Sequence, residues 1–280
     1  MNLTERKRAL ASATVAALAA GALMRRNLRA TKIINEAHQF DIKLELDVRC
    51  QKLIERSLRR EFPGIAVLGE EGVVGDVRSP LRWVVDPIDG TVNFTYGIPH
   101  CCVSIALQSQ NTALGARRGR QSKAWRGHPD ADYETLAGVV YDPFCNELWT
   151  ATQGGTALLN GKPVHASRRA KLGEAIVSMG FAKNKETLRV GLPTFSRLIR
   201  RVRKMRMMGA AALGMTYVAS GRFDAYLEYG IKLWDIAAGG LILECAGGEF
   251  WHEPAGDGHT FLLKAYNGRL RRTLEAVARG

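Results

Sequence analysis

Apolar positions along the chain alternate between helical stripes and short extended runs. The stretch "ALASATVAALAAGALM" after "ERKR" reads as one helix over residues 4–26, with Thr4 as a candidate cap. "DIKLELD", 41–47, alternates as an extended segment ending in Asp47, and Cys50, Leu53, Ile54, Ser57 and Leu58 then share a helical face. Pro63-Gly64 stops that helix, and "IAVLGEEG" is a short apolar strand running into Glu70 and Glu71. "CCVSIAL" and "LAGVVYDP" read as paired strands around a polar segment, 108–135, that has no clear period. "ELWTATQGGTALLNGKPV" reads as strands and turns, with Asn160-Gly161 a hairpin candidate. Pro193 opens a helix with Phe195, Leu198, Ile199 and Val202 inward and Arg197, Arg200, Arg201, Arg203 and Lys204 outward. "AALGMTYVASGRFDAYLEYG" reads as helix, Gly221 and strand. Asp235 precedes an apolar helix ending at Gly247-Gly248, and a final strand and a short helix over 268–279 close the chain. This alternation predicts a mixed, layered α/β protein.

At 280 residues, 46% apolar and 24% charged, the chain can bury a large core as one domain or two lobes. Its net charge of +13 favours anionic partners: phosphorylated metabolites, nucleic acid or an acidic membrane. The five cysteines show no C-x-x-C and no disulfide framework, which fits a reducing compartment such as the cytoplasm. The N-terminal stretch faintly resembles a signal peptide, but it is Ala-rich and short for a bilayer span, so a buried helix is expected and no membrane partner.

The chemistry concentrates in "WVVDPIDGTVNF", 83–94. On a straight strand Asp86 and Asp89 would point to opposite faces, roughly 10 Å apart. If they act together the chain must bend between them. Pro87 fixes its own φ, and Gly90 permits a backbone shape other residues resist. A plain hairpin turn is the alternative, since Asp-Gly between apolar runs is a common hairpin signal. Other acids also fall at element ends: Asp47, Glu70 and Asp235. Each has an ordinary explanation, as a helix cap for Asp47 and Asp235 or a solvated loop acid for Glu70. Together they form an oxygen-only set that suits Mg²⁺ rather than zinc. Two such ions about 3.5–4 Å apart sharing Asp86 would activate water for phosphoryl transfer.

The pieces Asp47, Glu70-Glu71, Asp86-Pro87-Ile88-Asp89-Gly90-Thr91 and Trp234-Asp235, with Gly247-Gly248 after eleven intervening residues, occur in one order. In this the chain resembles the inositol monophosphatase family of lithium-sensitive, magnesium-dependent phosphatases, over nearly its whole length. The resemblance implies an alternating helix-sheet-helix-sheet-helix sandwich. It implies a single phosphatase domain over 1–280, with lobes of roughly 1–150 and 151–280, and a homodimer. It implies two or three Mg²⁺ ions held by Glu70, Asp86, the Ile88 carbonyl, Asp89 and Asp235. Asp47, Glu70 and Thr91 would act on the attacking water. Asp89, Gly90, Thr91, Gly209, Ala210, Ala211, Glu228 and Asp235 would meet a small phosphate ester, inositol monophosphate first. For Glu228 the alternative is a surface strand acid near Arg222.

Two features depart from the family pattern. Ala210 stands where a Ser or Thr is usual. Segment 108–135 is longer than usual by roughly twenty residues and carries Arg117, Arg118, Arg120, Lys123 and Arg126 around Trp125. It is expected to be a flexible, solvated hairpin tip, with nucleic-acid binding as the alternative. Within the fold, fructose 1,6-bisphosphate, 3′-phosphoadenosine 5′-phosphate and histidinol phosphate are competing substrates. A nucleic-acid-binding regulatory protein on a phosphatase scaffold is the reading from another class.

Overall fold

The computed structural model describes residues 1–37, 42–182, 184–256 and 258–279. Helix α1 (Leu3–Asn27) starts at Asn2, not Thr4: the Asn2 side chain accepts from the Glu5 amide while Glu5 accepts from the Asn2 amide. Its alanine face, Ala9, Ala13, Ala16, Ala17 and Ala20, is buried. By length and composition α1 passes for a membrane span, as a buried core helix also does. Strands β1 (Ile34–Ala37) and β2 (Ile42–Leu44) make a small antiparallel ribbon. Helix α2 (Glu45–Glu61) begins at once, so the extended segment expected over 41–47 stops at Leu44, and Asp41 lies outside the described residues.

Next come β3 (Ala66–Gly69), β4 (Gly72–Val74), β5 (Leu81–Asp89), α3 (Thr91–Thr95), β6 (Cys102–Gln110), α4 (Thr112–Gln121), β7 (Tyr133–Asp142), β8 (Glu147–Thr152), β9 (Leu158–Leu159) and β10 (Lys162–Pro163). The strands form one sheet in the order β10-β9-β8-β7-β6-β5-β3-β4. The β9–β10 turn uses Asn160 (φ 49°) and Gly161 (φ 77°), the left-handed pair its sequence predicts. Segment 108–135 is not a loose tip. Asn111 caps α4 with its side chain, a 3₁₀ turn follows at Lys123–Trp125, and Trp125 is buried in the core. Arg118 lies 4.5 Å over the Trp125 ring and donates to the carbonyls of Asp130, Ala131 and Tyr133. Neither Arg118 nor Trp125 is displayed for a polyanion.

The second half contains β11 (Ile176–Phe181), α5 (Lys185–Ile199), β12 (Lys204–Arg206), α6 (Ala211–Ala219), β13 (Ala225–Lys232), α7 (Leu233–Cys245), β14 (Glu249–Pro254), β15 (Thr260–Tyr266) and α8 (Arg271–Arg279). A five-stranded sheet runs β12-β11-β13-β15-β14. Helix α5 starts eight residues before Pro193, capped by Asn184, and Ile199 is half exposed rather than inward. Two strands, not one, precede α8.

The expected five layers are present. Helices α1 and α2 cover the outer face of the large sheet, α6 and α7 fill the space between the sheets, and α5 and α8 cover the small sheet. Sandwiched helices must be apolar nearly all round, and eight of the nine residues of α6 and nine of the thirteen of α7 are buried. Close approach is set by Gly138 on β7: a Cβ there would meet the Ala238 carbonyl oxygen at 2.9 Å and its Cα at 3.1 Å. That contact seats α7 directly on the sheet.

Candidate active site

The bend the sequence requires is a bulge in β5. Asp86 pairs with Ser104 and Asp89 with Cys102, so three steps on one strand oppose two on the other. The Asp86 carboxylate accepts from the Ile88 amide at 3.0 Å, closing a tight turn over Pro87. Gly90 follows at φ 95°, where a Cβ would come within 3.0 Å of the His100 carbonyl oxygen and 3.2 Å of the Gly209 one. Only glycine fits there.

Asp89 then reaches across to the other sheet's helices. Its carboxylate accepts from the Ala211 amide at 3.0 Å and the Ala212 amide at 2.7 Å. Helix α6 has Ala210 at its cap position with no side-chain bond of its own, so Asp89 caps it from a distant strand. The Ala211 amide therefore serves Asp89. Asp235 sits in the first turn of α7 rather than before it, and its carboxylate accepts from the Lys232 amide at 3.1 Å. Asp47 does the same in α2, accepting from the Leu44 amide at 3.0 Å. Asp89 and Asp235 are helix-terminus acceptors that also belong to the cluster, while Asp47 is a helix-terminus acceptor near enough to raise the Glu70 carboxyl.

One carboxylate oxygen each from Asp86, Asp89 and Asp235 lies within 4.8 Å of the others. Burial pushes the Asp86 carboxyl well up, and Glu70, Asp235 and Asp89 push it further. Glu70 is exposed at the edge of the cluster, and its carboxyl is raised by desolvation and then by Asp235, Asp47 and Glu71. Asp89 is pushed up to about 7 by burial and Asp235, against the pull of the two α6 amides and Cys102. Mutually repelling buried carboxylates with oxygen donors only are what a hard divalent cation would neutralise.

Glu228 on β13 belongs to the same field. Burial raises its carboxyl, followed by Asp235 and Asp89, and it accepts a hydrogen bond from the Tyr226 hydroxyl. Gly180 on the neighbouring strand makes room, since a Cβ there would strike the Glu228 carboxylate. Arg222 instead pairs with Glu147, so the surface-acid alternative fails. The Thr91 hydroxyl donates to the Ile88 carbonyl at 3.0 Å, placing both groups at the edge of the bulge.

Three supporting residues escape the sequence reading. Asn93 donates to the carbonyls of His100 and Met208, both at 2.8 Å, and so holds the segment that carries Gly209. Gln51, buried on α2, accepts from the Glu71 amide and donates to the Gly72 carbonyl, fixing the turn that carries Glu70. A polar side chain on the apolar face of that helix is the signal that could have exposed it. Ser104 donates to the Trp234 carbonyl at 3.0 Å and ties β6 to the start of α7.

Five layers with carboxylates converging from a strand bulge and a helix start define an oxygen-donor site of the kind that holds divalent cations. The chain belongs to the inositol monophosphatase family, whose sequence profile it matches over residues 5–116 and 131–276. It is 34% identical over 237 residues to Nus factor SuhB of Xylella fastidiosa, covering 83% of this chain and 78% of that protein. It is 33% identical over 252 residues to inositol monophosphatase 3 of Solanum lycopersicum, covering 87% and 85%. Among solved structures, the extragenic suppressor protein suhB of Bartonella henselae superposes with a TM-score of 0.81 at 29% identity, covering 97% of this chain and 98% of that one. Inositol monophosphatase of Anabaena gives 0.78 at 30% identity, covering 96% and 94%. The unmatched residues 117–130 fall inside the segment that departs from the family pattern.

Proposed function

We propose that the protein is a Mg²⁺-dependent phosphate monoesterase, with inositol monophosphate as its leading substrate. The observation that carries the reading is the convergence of Asp86, Asp89 and Asp235 within 4.8 Å, where burial and the neighbouring acids push the Asp86 carboxyl well up. Glu70, Asp86, the Ile88 carbonyl, Asp89 and Asp235 would hold the metal. Bound there, Mg²⁺ would supply charge for the phosphoryl oxygens and lower the pKa of water.

The chain's own groups do the rest. Asp47 and Thr91 orient the attacking water and take its proton, and Glu70 fixes its approach. The Gly90 and Thr91 amides hold the phosphate. Glu228 accepts hydrogen bonds from hydroxyls of the alcohol, and the Gly209–Ala210 backbone lines that side. Ala210 offers no hydroxyl, which weakens the hold on a polyol and bears on specificity rather than on the bond broken.

Relatives named Nus factor SuhB, together with the +13 charge, support a second role with an anionic macromolecule. The test is phosphate release from a panel of esters with and without Mg²⁺, beside Asp86→Asn. Metal-dependent turnover of inositol monophosphate, lost in the variant, is expected. A hundredfold preference for another ester would move the substrate, and turnover retained in Asp86→Asn would sink the site.

A further inference from the structure

Asp130 is the last residue of the segment outside the family match, and it is buried. One of its oxygens accepts from Arg82 Nη2 at 2.7 Å, and the other accepts from His259 Nδ1 at 2.7 Å. Arg82 lies on β5, four residues before Asp86. Its guanidinium is also buried, donates to Gln108 Oε1 at 2.8 and 3.0 Å, and sits 3.6 Å over the Tyr133 ring. His259 leads to the other acid: its carbonyl accepts from the Leu233 amide at 3.0 Å, where α7 begins, two residues before Asp235. Its ring lies 6.3 Å from that of Trp234.

The surrounding groups fix the tautomer of His128 and keep Asp130 ionised. The Asp130 amide donates to His128 Nδ1, so that nitrogen is an acceptor and Nε2 donates to the Gly258 carbonyl. His128 therefore pins the residue before His259. The Asp130 carboxyl is held below its usual range: the His259 bond and the Arg82 charge outweigh its burial. Two desolvated charges with fixed partners allow little play, because displacing either leaves the other buried without compensation.

We propose that Asp130 is a positioning residue. By gripping Arg82 and His259 together, it sets the separation between the strand ending in Asp86 and Asp89 and the helix start carrying Asp235, and with it the affinity of the acid cluster for a divalent cation. The proposal rests on reading that cluster as a metal site. The segment beyond the family pattern thus acts as a brace between the two halves of the site. The tie acts through the backbone of β5 on one side and the His259–Leu233 hydrogen bond on the other, and groups that orient ligands from behind commonly tune metal affinity.

The test is calorimetric Mn²⁺ titration of the full chain, with His259→Ala and His259→Asn. His259 is 23% exposed, and its truncation leaves the Arg82–Asp130 pair in place. His259→Ala is expected to weaken Mn²⁺ binding roughly tenfold and to raise the Mg²⁺ concentration for half-maximal phosphate release to match. His259→Asn keeps a donor near the Nδ1 position and should restore most of the affinity. Mn²⁺ affinity unchanged in His259→Ala, with only a lower melting temperature, would overturn the brace. So would an equal loss in both variants. No Mn²⁺ binding by the unaltered protein would overturn the metal reading and the brace with it, an outcome distinct from the other two.

Discussion

Replacing Gly138 by alanine tests how closely α7 must sit on the large sheet. The added methyl would meet backbone atoms of Ala238 at 2.9 and 3.1 Å, and backbone cannot swing aside as a long side chain can. Overpacking of this kind costs about 1–3 kcal/mol. Alanine also stiffens the unfolded chain, which returns about 0.4–1 kcal/mol. The net expectation is a loss of about 1–2 kcal/mol. For a chain of this size that is a fall in melting temperature of roughly 2–4 °C. The same substitution at Gly173 meets nothing within 4 Å and involves no left-handed backbone, so it should be neutral or slightly stabilising. Opposite signs from one chemical change separate packing from propensity. Asp235 lies one turn before Ala238, so Gly138→Ala should also weaken metal-dependent phosphate release, while Gly173→Ala should not. Thermal unfolding and urea titration of both variants measure the pair. Equal stability of the two would refute the argument that this contact seats the helix.

Asn93→Ala should cost about 1–3 kcal/mol, because it strips a donor from the His100 and Met208 carbonyls, and KM should rise more than kcat falls; urea unfolding and steady-state kinetics read both effects. Mg²⁺ should raise the melting temperature of the protein and leave Asp86→Asn unmoved, since binding to the folded state alone stabilises it; a shift in both would place the cation elsewhere. His252 is held neutral, its pKa lowered to about 3 by burial and then by Arg118, with Asp130 opposing and His128 adding to the fall. The unfolded chain binds that proton below about pH 6.5 and the folded chain does not, so stability drops with acid by about 1.4 kcal/mol per pH unit through that window. His252→Phe should flatten the slope between pH 6.5 and 5 in urea titrations relative to the unaltered protein.

Much of this was readable from the residues because the pieces of the site lie in local patterns. Asp86, Pro87, Asp89 and Gly90 announce a bend, and the structure supplies it as a bulge in β5. The apolar helices around 211–219 and 233–245 announce burial on all sides. Helix starts were less legible. Asp47 and Asp235 act from the third helical position, where each carboxylate turns back to a preceding amide, and Leu44 and Lys232 give no capping signal of their own. Pro193 misled, because a proline reads as a helix start and here lies inside α5. Segment 108–135 misled most. Its arginines suggest a solvated surface, whereas Arg118 is spent on three carbonyls and an indole 7 to 15 residues further along the same segment, brought together only when that segment folds back on itself. No local pattern encodes such contacts.

The reach of Asp89 to the start of α6 has a consequence for the order of folding. Asp86 and Asp89 are synthesised early, while Ala211, Ala212 and Asp235 follow more than a hundred residues later. Until the last third of the chain has left the ribosome, the large sheet carries its acids without the helices that complete their surroundings. Closing so long a loop is entropically slow, which makes the site a late product of folding rather than its seed. A half-made chain would then carry Asp86 and Asp89 without the Asp235 that completes their cluster. The acid cluster would close only when β5 and the start of α7 are both in place.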